Sequence, residues 1–365
     1  MSRRLGLNGK WLAQELTGTQ RYAREMTRHL LPLLSGRPVL HVPADAVVPD
    51  WLSAQVETRR SRLSGMAFEQ LALPLAARRE LLLSLGGPAP VLARLQVVTM
   101  HDATPFRLPH TYSRAFATWY RFMYRAVARR ASRIITVSAF SRDELADVLH
   151  TDPTRFVVVP NGVGHVAEGE APVRPAGVPD APFALMVGPA AAHKNIAPVA
   201  AAVARLGIAV VVVGGGGSQQ VFGEAVGSTD DRPTSSAGGT VHRLGRVTDA
   251  EVAWLYAHAG VLVFPSLYEG FGLPVVEAQR AGCPVVASDR ASLPEVAGLG
   301  ALLVDPTRPD EVAAAVERVL GDPVLADALR AQGHTNAERF SWEASAAVLS
   351  EVLAAVDLRV GAGRA

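Results

Sequence analysis

Short apolar runs rich in β-branched residues recur along the chain, and between them the apolar positions follow helical spacing. Residues 97–100, 134–137, 156–159, 184–187, 208–213, 261–264 and 284–287 read as strands. Apolar strands alternating with helices belong to parallel sheets covered by helices on both faces, so the pattern predicts an α/β protein with doubly wound sheets. Residues 164–182 break the rhythm with Gly164, Gly169, Pro172, Pro175, Gly177, Pro179 and Pro182, and an interdomain linker is expected there. A second irregular stretch, 214–239, mixes Gly, Ser, Thr and Asp and reads as a surface loop of the C-terminal half.

A chain of 365 residues exceeds the size at which one core keeps growing, which favours two domains. No apolar run approaches the ~20 residues that a membrane span needs, and residues 1–10 lack the apolar stretch of a signal peptide. A cytoplasmic protein is expected. Its net charge of +2 conceals a split, with 21 Lys+Arg against 11 Asp+Glu in residues 1–150 and 15 against 23 in residues 151–365. The basic N-terminal half is expected to meet something anionic. Neither zinc-ligand spacing nor an aromatic RNA-binding signature accompanies the charge, so no nucleic acid is expected, and a membrane surface or a phosphorylated acceptor fits better. The helical segment 112–133 sets Trp119, Tyr120, Phe122, Met123 and Tyr124 beside Arg121, Arg125 and Arg129 at four-residue spacing. It reads either as a peripheral contact with an anionic inner membrane face or as an ordinary amphipathic core helix with solvated arginines. The single cysteine, Cys283, lies among apolar neighbours and reads as a small buried residue rather than a nucleophile.

The most informative segment is 264–287, FPSLYEGFGLPVVEAQRAGCPVVA. Its strand ends at Pro265, a turn runs through Gly270 and Gly272, and Pro274 takes a first-turn helical position that tolerates a missing N–H. A short helix follows and Gly282 stops it. Backbone N–H groups unobstructed by Cβ atoms at a helix start form an anion site suited to a diphosphate. Glu269 precedes that helix and Glu277 lies one turn inside it. Alone, each would read as an ordinary turn or helix residue. Beside phosphates, carboxylates are expected to accept hydrogen bonds from hydroxyls, one from a ribose and one from a hexose. His101 follows the strand 97–100 and so falls at the carboxyl end of a parallel strand, where open α/β sheets bind ligands. Asp102 beside it is expected to orient the histidine or its loop.

The run Glu269-Gly-Phe-Gly-Leu-Pro-x-x-Glu277 resembles the donor-binding motif of glycosyltransferase family 4. Thr17-Gly-Thr-Gln-Arg-Tyr22 is similar to that family's N-terminal glycine loop, departing at Thr19 and Gln20. The His101-Asp102 pair, Val137-Ser-x-Phe-Ser141, Val159-Pro-Asn-Gly-Val163 and Pro294-Glu-Val-Ala-Gly298 extend the likeness, in order, over nearly the whole chain. The resemblance implies GT-B architecture: two Rossmann-like doubly wound domains facing a cleft, an acceptor-binding one over 1–170 and a nucleotide-sugar-binding one over 180–340. A helix within 341–365 is expected to cross back to the first domain and end in a short tail. Glu277 is implied to bind the ribose, Glu269 the transferred sugar, and the backbone around Gly270, Phe271, Gly272 and Leu273 the phosphates. Gly188 ends a strand, and His193-Lys194-Asn195 stands where members carry Arg-Lys-Asn, which places Lys194 against the diphosphate. The composition agrees, because the chain has 34 arginines and only two lysines, Lys10 and Lys194, and a compact ammonium suits phosphate. Arg246 lies in a turn implied to approach the base, His101 is implied to face the donor sugar, and Gly18, Arg21, Tyr22 and Asp102 fall on the acceptor side.

The implied activity is that of a retaining hexosyltransferase, acting by front-face attack in glycan or polysaccharide biosynthesis. Its partners would be a nucleotide-sugar donor and a saccharide or lipid-linked acceptor. The Arg21-Tyr22 loop and the His101-Asp102 pair look most like members that use GDP-mannose. No Asp-x-Asp triplet lies at a strand end to hold a metal against the diphosphate, and Asp230-Asp231 falls in the irregular loop, so neither metal nor cofactor is expected. Two alternatives share the fold: a GT-B nucleotide-sugar epimerase, and a non-catalytic nucleotide-sugar binding protein. The complete donor motif argues against the first, and the presence together of Glu269, Glu277, Lys194 and His101 against the second.

Overall fold

The computed structural model describes residues 3–87, 89–164, 170–215, 234–235 and 239–362. The chain divides into two compact units, one of Met1–Ala103, Thr118–Gly162 and Trp342–Ala365, the other of Thr104–Ala117 and Val163–Ser341. The first unit is built on β1 (Leu5–Asn8), β2 (Val39–Val42), β3 (Glu57–Arg60), β4 (Leu81–Ser84), β5 (Gln96–Thr99), β6 (Arg133–Thr136) and β7 (Phe156–Val158). Their order is β3-β2-β1-β4-β5-β6-β7, all parallel, with Leu7 of β1 opposite Leu40 on one side and Leu83 on the other. The second unit contains β8 (Phe183–Val187), β9 (Ala209–Val213), β10 (Thr234–Ser235), β11 (Thr240–Gly245), β12 (Val261–Phe264), β13 (Val285–Ser288) and β14 (Leu302–Val304). Here the order is β10-β11-β9-β8-β12-β13-β14, and the pair β10–β11 is antiparallel. In each sheet the sequence of strands reverses beside the first strand, between β1 and β4 and between β8 and β12.

Side-chain alternation explains why the strands read as continuous apolar runs. β8 sends Ala184 and Met186 to one face and Phe183 and Leu185 to the other, and β12 does the same with Val261 and Val263 against Leu262 and Phe264. Helices Ile196–Arg205 and Pro309–Gly321 close the first face through Val199, Val203, Val312 and Val316. Helices Asp249–His258 and Leu273–Arg280 close the second through Leu255, Tyr256, Val275 and Ala278. Each of the seven expected strands is present, with its ends shifted by no more than a residue. Of the expected linker, 165–169 lie outside the described residues, and 170–182 runs without helix or strand. Of the expected loop, 216–233 and 236–238 lie outside the described residues, and β10 occupies the short described piece between them.

In the first unit, helix Gly18–Leu30 buries Tyr22, Ala23, Met26 and Leu30 and packs against the final helix, Trp342–Ala362. The Val159-Pro-Asn-Gly-Val163 motif serves this packing. Tyr22 Oη donates to Val159 O at 3.3 Å, and Ser345 Oγ donates to Pro160 O at 2.9 Å. A Cβ on Gly162 would stand 2.3 Å from the backbone N of Trp342 and 2.5 Å from its Cγ. Gly162→Ala is therefore expected to destabilise the protein by about 1–3 kcal/mol. A lowered denaturant midpoint would register the clash, and an unchanged midpoint would contradict it.

Candidate functional site

Adjacent strands of the second unit end on glycine. Gly188 follows β8, Gly214 follows β9 and Gly245 ends β11. They are bonded in series: Gly188 N–H donates to Val213 O at 2.8 Å, and Gly214 N–H donates to Gly245 O at 2.9 Å. Gly214 has φ 135°, and a Cβ there would lie 2.1 Å from Gly188 O, so no other residue fits. The sheet thus ends in a floor of bare backbone. Arg246 lies over Gly215, where a Cβ would meet its Cγ at 3.4 Å, and Lys194 borders Gly188, where a Cβ would meet its Cδ at 3.6 Å.

Lys194 ends a 3-10 turn, Ala192–Lys194, that follows β8. Asn195 closes the turn in the left-handed region at φ 54°, its Nδ2 donating to Pro306 O at 2.6 Å. This geometry delivers Lys194 Nζ to Glu269 Oε1 at 2.6 Å, with side chains only 15% and 13% exposed, and sets the ammonium 5.5 Å from the Phe264 ring centroid. The Glu269 turn is held by its backbone. Ser292 Oγ–H is shared between Glu269 O at 3.0 Å and Phe271 O at 2.9 Å, and Leu267 N–H donates to His193 O at 2.7 Å. Gly272, at φ 101°, opens helix Leu273–Arg280 with Pro274 in its first turn. Gly270 and Phe271 are buried, and the Phe271 ring packs edge-on against Phe340, so from these residues the backbone is what a ligand can use. Glu277 accepts a hydrogen bond from Tyr256 Oη at 2.8 Å.

Tyr256 and Ser292 were not legible as site residues. Ser292-Leu-Pro-Glu295 has the spacing of a capping box, yet the hydroxyl makes no cap and is spent on the Glu269 turn. Tyr256 carries no local signal, being an ordinary inward position of its helix. The Pro294-Glu-Val-Ala-Gly298 motif anchors helix Pro323–Ala337: Asn336 Nδ2 donates to Val296 O at 2.8 Å and to Gln279 Oε1 at 2.7 Å, and Gln279 Nε2 donates to Ala297 O at 2.8 Å. Cys283 is buried, and burial pushes its thiol up to about 12.

In the first unit His101 and Asp102 are partly buried just beyond the carboxyl end of β5. His101 Nε2–H donates to Leu85 O at 3.0 Å, which leaves Nδ1 as the acceptor of the neutral ring. Tyr22, expected on the acceptor side, offers no surface to a ligand. It is fully buried, with its ring 5.0 Å from His101 and 5.9 Å from Trp342, so it backs the histidine. Gly18 is exposed at the start of its helix and Arg21 is half-buried one turn later. In helix Arg114–Arg130 the aromatic set divides: Met123 and Tyr124 are core, whereas Trp119 and Phe122 are 36% and 56% exposed with rings 5.8 Å apart. Arg125 and Arg129 are exposed on the same helix.

Burial holds the His101 imidazole below its ordinary 6.5, opposed by the Leu85 carbonyl and by Asp102. The unfolded chain binds a proton here that the folded chain resists, so this residue's contribution to stability is complete above the ordinary value and is lost as pH falls below it. In His101→Gln the drop in urea midpoint between about pH 7.5 and 5.5 is expected to be smaller than in wild type. Parallel curves for the two proteins would show that burial imposes no such restraint.

A family model described as Glycosyl transferases group 1 matches residues 173–339, and one described as Glycosyltransferase Family 4 matches residues 80–165. O-antigen chain mannosyltransferase B of Escherichia coli is 30% identical over 260 residues, 68% of this chain and 67% of that protein. The MMP alpha-(1->4)-mannosyltransferase of Mycolicibacterium hassiacum is 33% identical over 262 residues, 67% of this chain but 59% of its own length. Among solved structures, sucrose-phosphate synthase from Thermosynechococcus elongatus superposes with a TM-score of 0.72 at 20% identity, covering 96% of this chain and 98% of that one. That likeness is one of fold, the GT-B architecture.

Proposed function

The chain belongs to glycosyltransferase family 4, and from that premise we propose that it is a retaining, metal-independent hexosyltransferase moving mannose from GDP-mannose to a saccharide or lipid-linked acceptor in glycan biosynthesis. The observation that carries this reading is the Lys194–Glu269 ion pair beside the glycine floor of β8, β9 and β11. An ammonium next to bare backbone suits a diphosphate, and a carboxylate in contact with that ammonium suits the sugar attached to it. Two relatives bear the name mannosyltransferase, which supports mannose as the transferred sugar.

In this mechanism the donor opens the ion pair. Lys194 turns to the diphosphate together with the backbone N–H groups of Gly270, Phe271, Gly272 and Leu273, and Glu269 turns to the sugar hydroxyls. Glu277, steadied by Tyr256, accepts from the ribose, while Arg246, over Gly215, lies toward the base. His101, in the other unit, carries in Nδ1 an acceptor of the kind a sugar hydroxyl needs. As the glycosidic bond breaks, Lys194 and the N–H dipoles stabilise charge on the leaving phosphate. The phosphate takes the proton of the acceptor hydroxyl, whose oxygen bonds the anomeric carbon on the face the phosphate leaves.

Incubation with GDP-mannose and a saccharide acceptor is expected to yield a new α-glycoside and GDP, whereas an epimerase would return an isomerised sugar and a binding protein would return the donor unchanged. Glu277→Ala is expected to weaken GDP binding in calorimetry by roughly 1.5–3 kcal/mol, because ribose hydroxyls lose a charged acceptor. Glu269→Ala should retain GDP and lose transfer. Lys194→Arg is expected not to restore the turnover lost in Lys194→Ala, since a planar fork cannot occupy the place of an ammonium. Equal GDP affinity in wild type and Glu277→Ala overturns the ribose assignment, and loss of transfer in excess chelator overturns the metal-free mechanism.

Exposed Trp119 and Phe122 beside Arg125 and Arg129 favour peripheral contact of helix Arg114–Arg130 with an anionic membrane. Among the described residues no helix is long and apolar enough to cross a membrane. Sedimentation with anionic but not neutral vesicles, weakened by salt and by changing Arg121, Arg125 and Arg129 to Gln, is the expected result. Wild-type protein that stays in the supernatant with both vesicle types leaves the ordinary surface helix as the account.

A further inference from the structure

Both lysines of this arginine-rich chain occupy the same place in their sheets. Lys194 lies in the 3-10 turn after β8, and Lys10 opens the 3-10 turn Lys10–Ala13 after β1. β1 and β8 are the first strands of their sheets and border the point at which strand order reverses. Each ammonium is paired with a glutamate: Lys10 Nζ with Glu69 Oε2 at 2.8 Å, Lys194 Nζ with Glu269 Oε1 at 2.6 Å. One of these pairs belongs to the donor site proposed above. The other has no role in it.

The Lys10 pair is the more deeply set, with the Glu69 side chain 1% exposed and that of Lys10 15%. Gln70 Nε2 also donates to Glu69 Oε2, at 3.3 Å, whereas the buried Glu69 Oε1 meets no hydrogen-bond partner among the described residues. Burial pushes the Glu69 carboxyl upward, opposed by the Lys10 ammonium and, more weakly, by the Gln70 and Asn8 side-chain amides, which lean on the carboxylate although neither reaches Oε1 at hydrogen-bond distance. A carboxylate oxygen kept out of water with no donor is costly unless a ligand supplies one. Glu69 also lies in a five-residue π-helical stretch, Phe68–Ala72, a backbone form that recurs at functional sites. Asn8, the last residue of β1, joins the pair to β4: its Oδ1 accepts from Lys10 N–H at 3.2 Å, and its Nδ2 donates to Ser84 Oγ at 3.2 Å. The Tyr120 phenol, raised first by burial and then by the charges of Asp102 and Glu69, ties this cluster to the His101-Asp102 end of β5.

We propose that the Lys10–Glu69 cluster binds a neutral polyhydroxyl ligand, the saccharide acceptor, with Glu69 accepting from one ligand hydroxyl and Lys10 donating to a neighbouring one. The proposal rests on the glycosyltransferase reading. Its chemistry is set by the pair itself: an ammonium and a carboxylate offer a donor and an acceptor side by side, as the vicinal hydroxyls of a sugar require. An anionic ligand would be repelled by Glu69 and Asp102, and a cationic one by Lys10. The carboxylate here holds the ligand and takes no proton in the reaction.

Saturation-transfer NMR with the methyl glycosides of mannose, glucose, galactose and N-acetylglucosamine tests the site in the full chain. At least one glycoside is expected to bind wild type, and Glu69→Gln and Lys10→Met are expected to weaken it by about tenfold or more. Affinity for the tightest binder among GDP, UDP and ADP should be equal in all three proteins. Lys10→Arg keeps a charge for Glu69, so it is expected to hold the wild-type thermal midpoint while losing glycoside affinity. The proposal is overturned if no glycoside binds wild type, or if a folded Lys10→Arg binds it as wild type does. Should wild type bind none of the nucleotides, the glycosyltransferase reading fails separately.

Discussion

A parallel sheet that grows in both directions from its first strand must part the backbone at that strand's carboxyl end, because the connections on its two sides leave over opposite faces. Both sheets of this chain reverse there, between β1 and β4 and between β8 and β12. The polar groups that distinguish the molecule are gathered beside those partings. Bare backbone is as necessary as the side chains: with any Cβ at Gly214 the end of β9 could not lie against the Gly188 carbonyl, and the floor next to Lys194 would not exist.

The ion pair at that floor has a divided character. Lys194 and Glu269 are shielded enough that removing either leaves the other charge without its partner, which costs more than the pair contributes when intact. A ligand bearing an anion and a hydroxyl offers both residues a replacement. The contact holds both side chains in one arrangement and so limits the rotamer freedom that binding such a ligand would have to remove. Ser292 acts one layer behind, its hydroxyl gripping carbonyls of the turn and leaving the N–H groups there uncommitted to it.

Much of this was legible in the chain. The apolar strands β5 to β9, β12 and β13 stood out because both of their faces are covered, and the glycines, Pro274 and the two glutamates of 264–287 specified the turn and helix start that the protein forms. β1 (LGLN), β3 (ETRR) and β4 (LLLS) did not stand out. Glycine, edge arginines and leucines, which are not branched at Cβ, lack the strand signature, and these segments are strands because their neighbours pair with them. The resemblance places Tyr22 on the acceptor side without saying which way its ring points, and its position on helix Gly18–Leu30 turns it inward beside His101. Contacts between distant segments, such as Tyr256 with Glu277 and Ser292 with the Glu269 turn, have no local pattern by which to be found.

The final helix gives the molecule an order of assembly. Trp342 seats against Gly162, Ser345 bonds Pro160, and Arg3 N–H bonds Asp357 at 3.1 Å, so the unit that contains the chain's beginning is completed by residues near its end. During synthesis the intervening unit, whose own strands and helices are all translated by Ser341, has its full set of parts while the other still lacks a helix. Until the final helix is made, the apolar face of helix Gly18–Leu30 that will meet Trp342 lacks its cover.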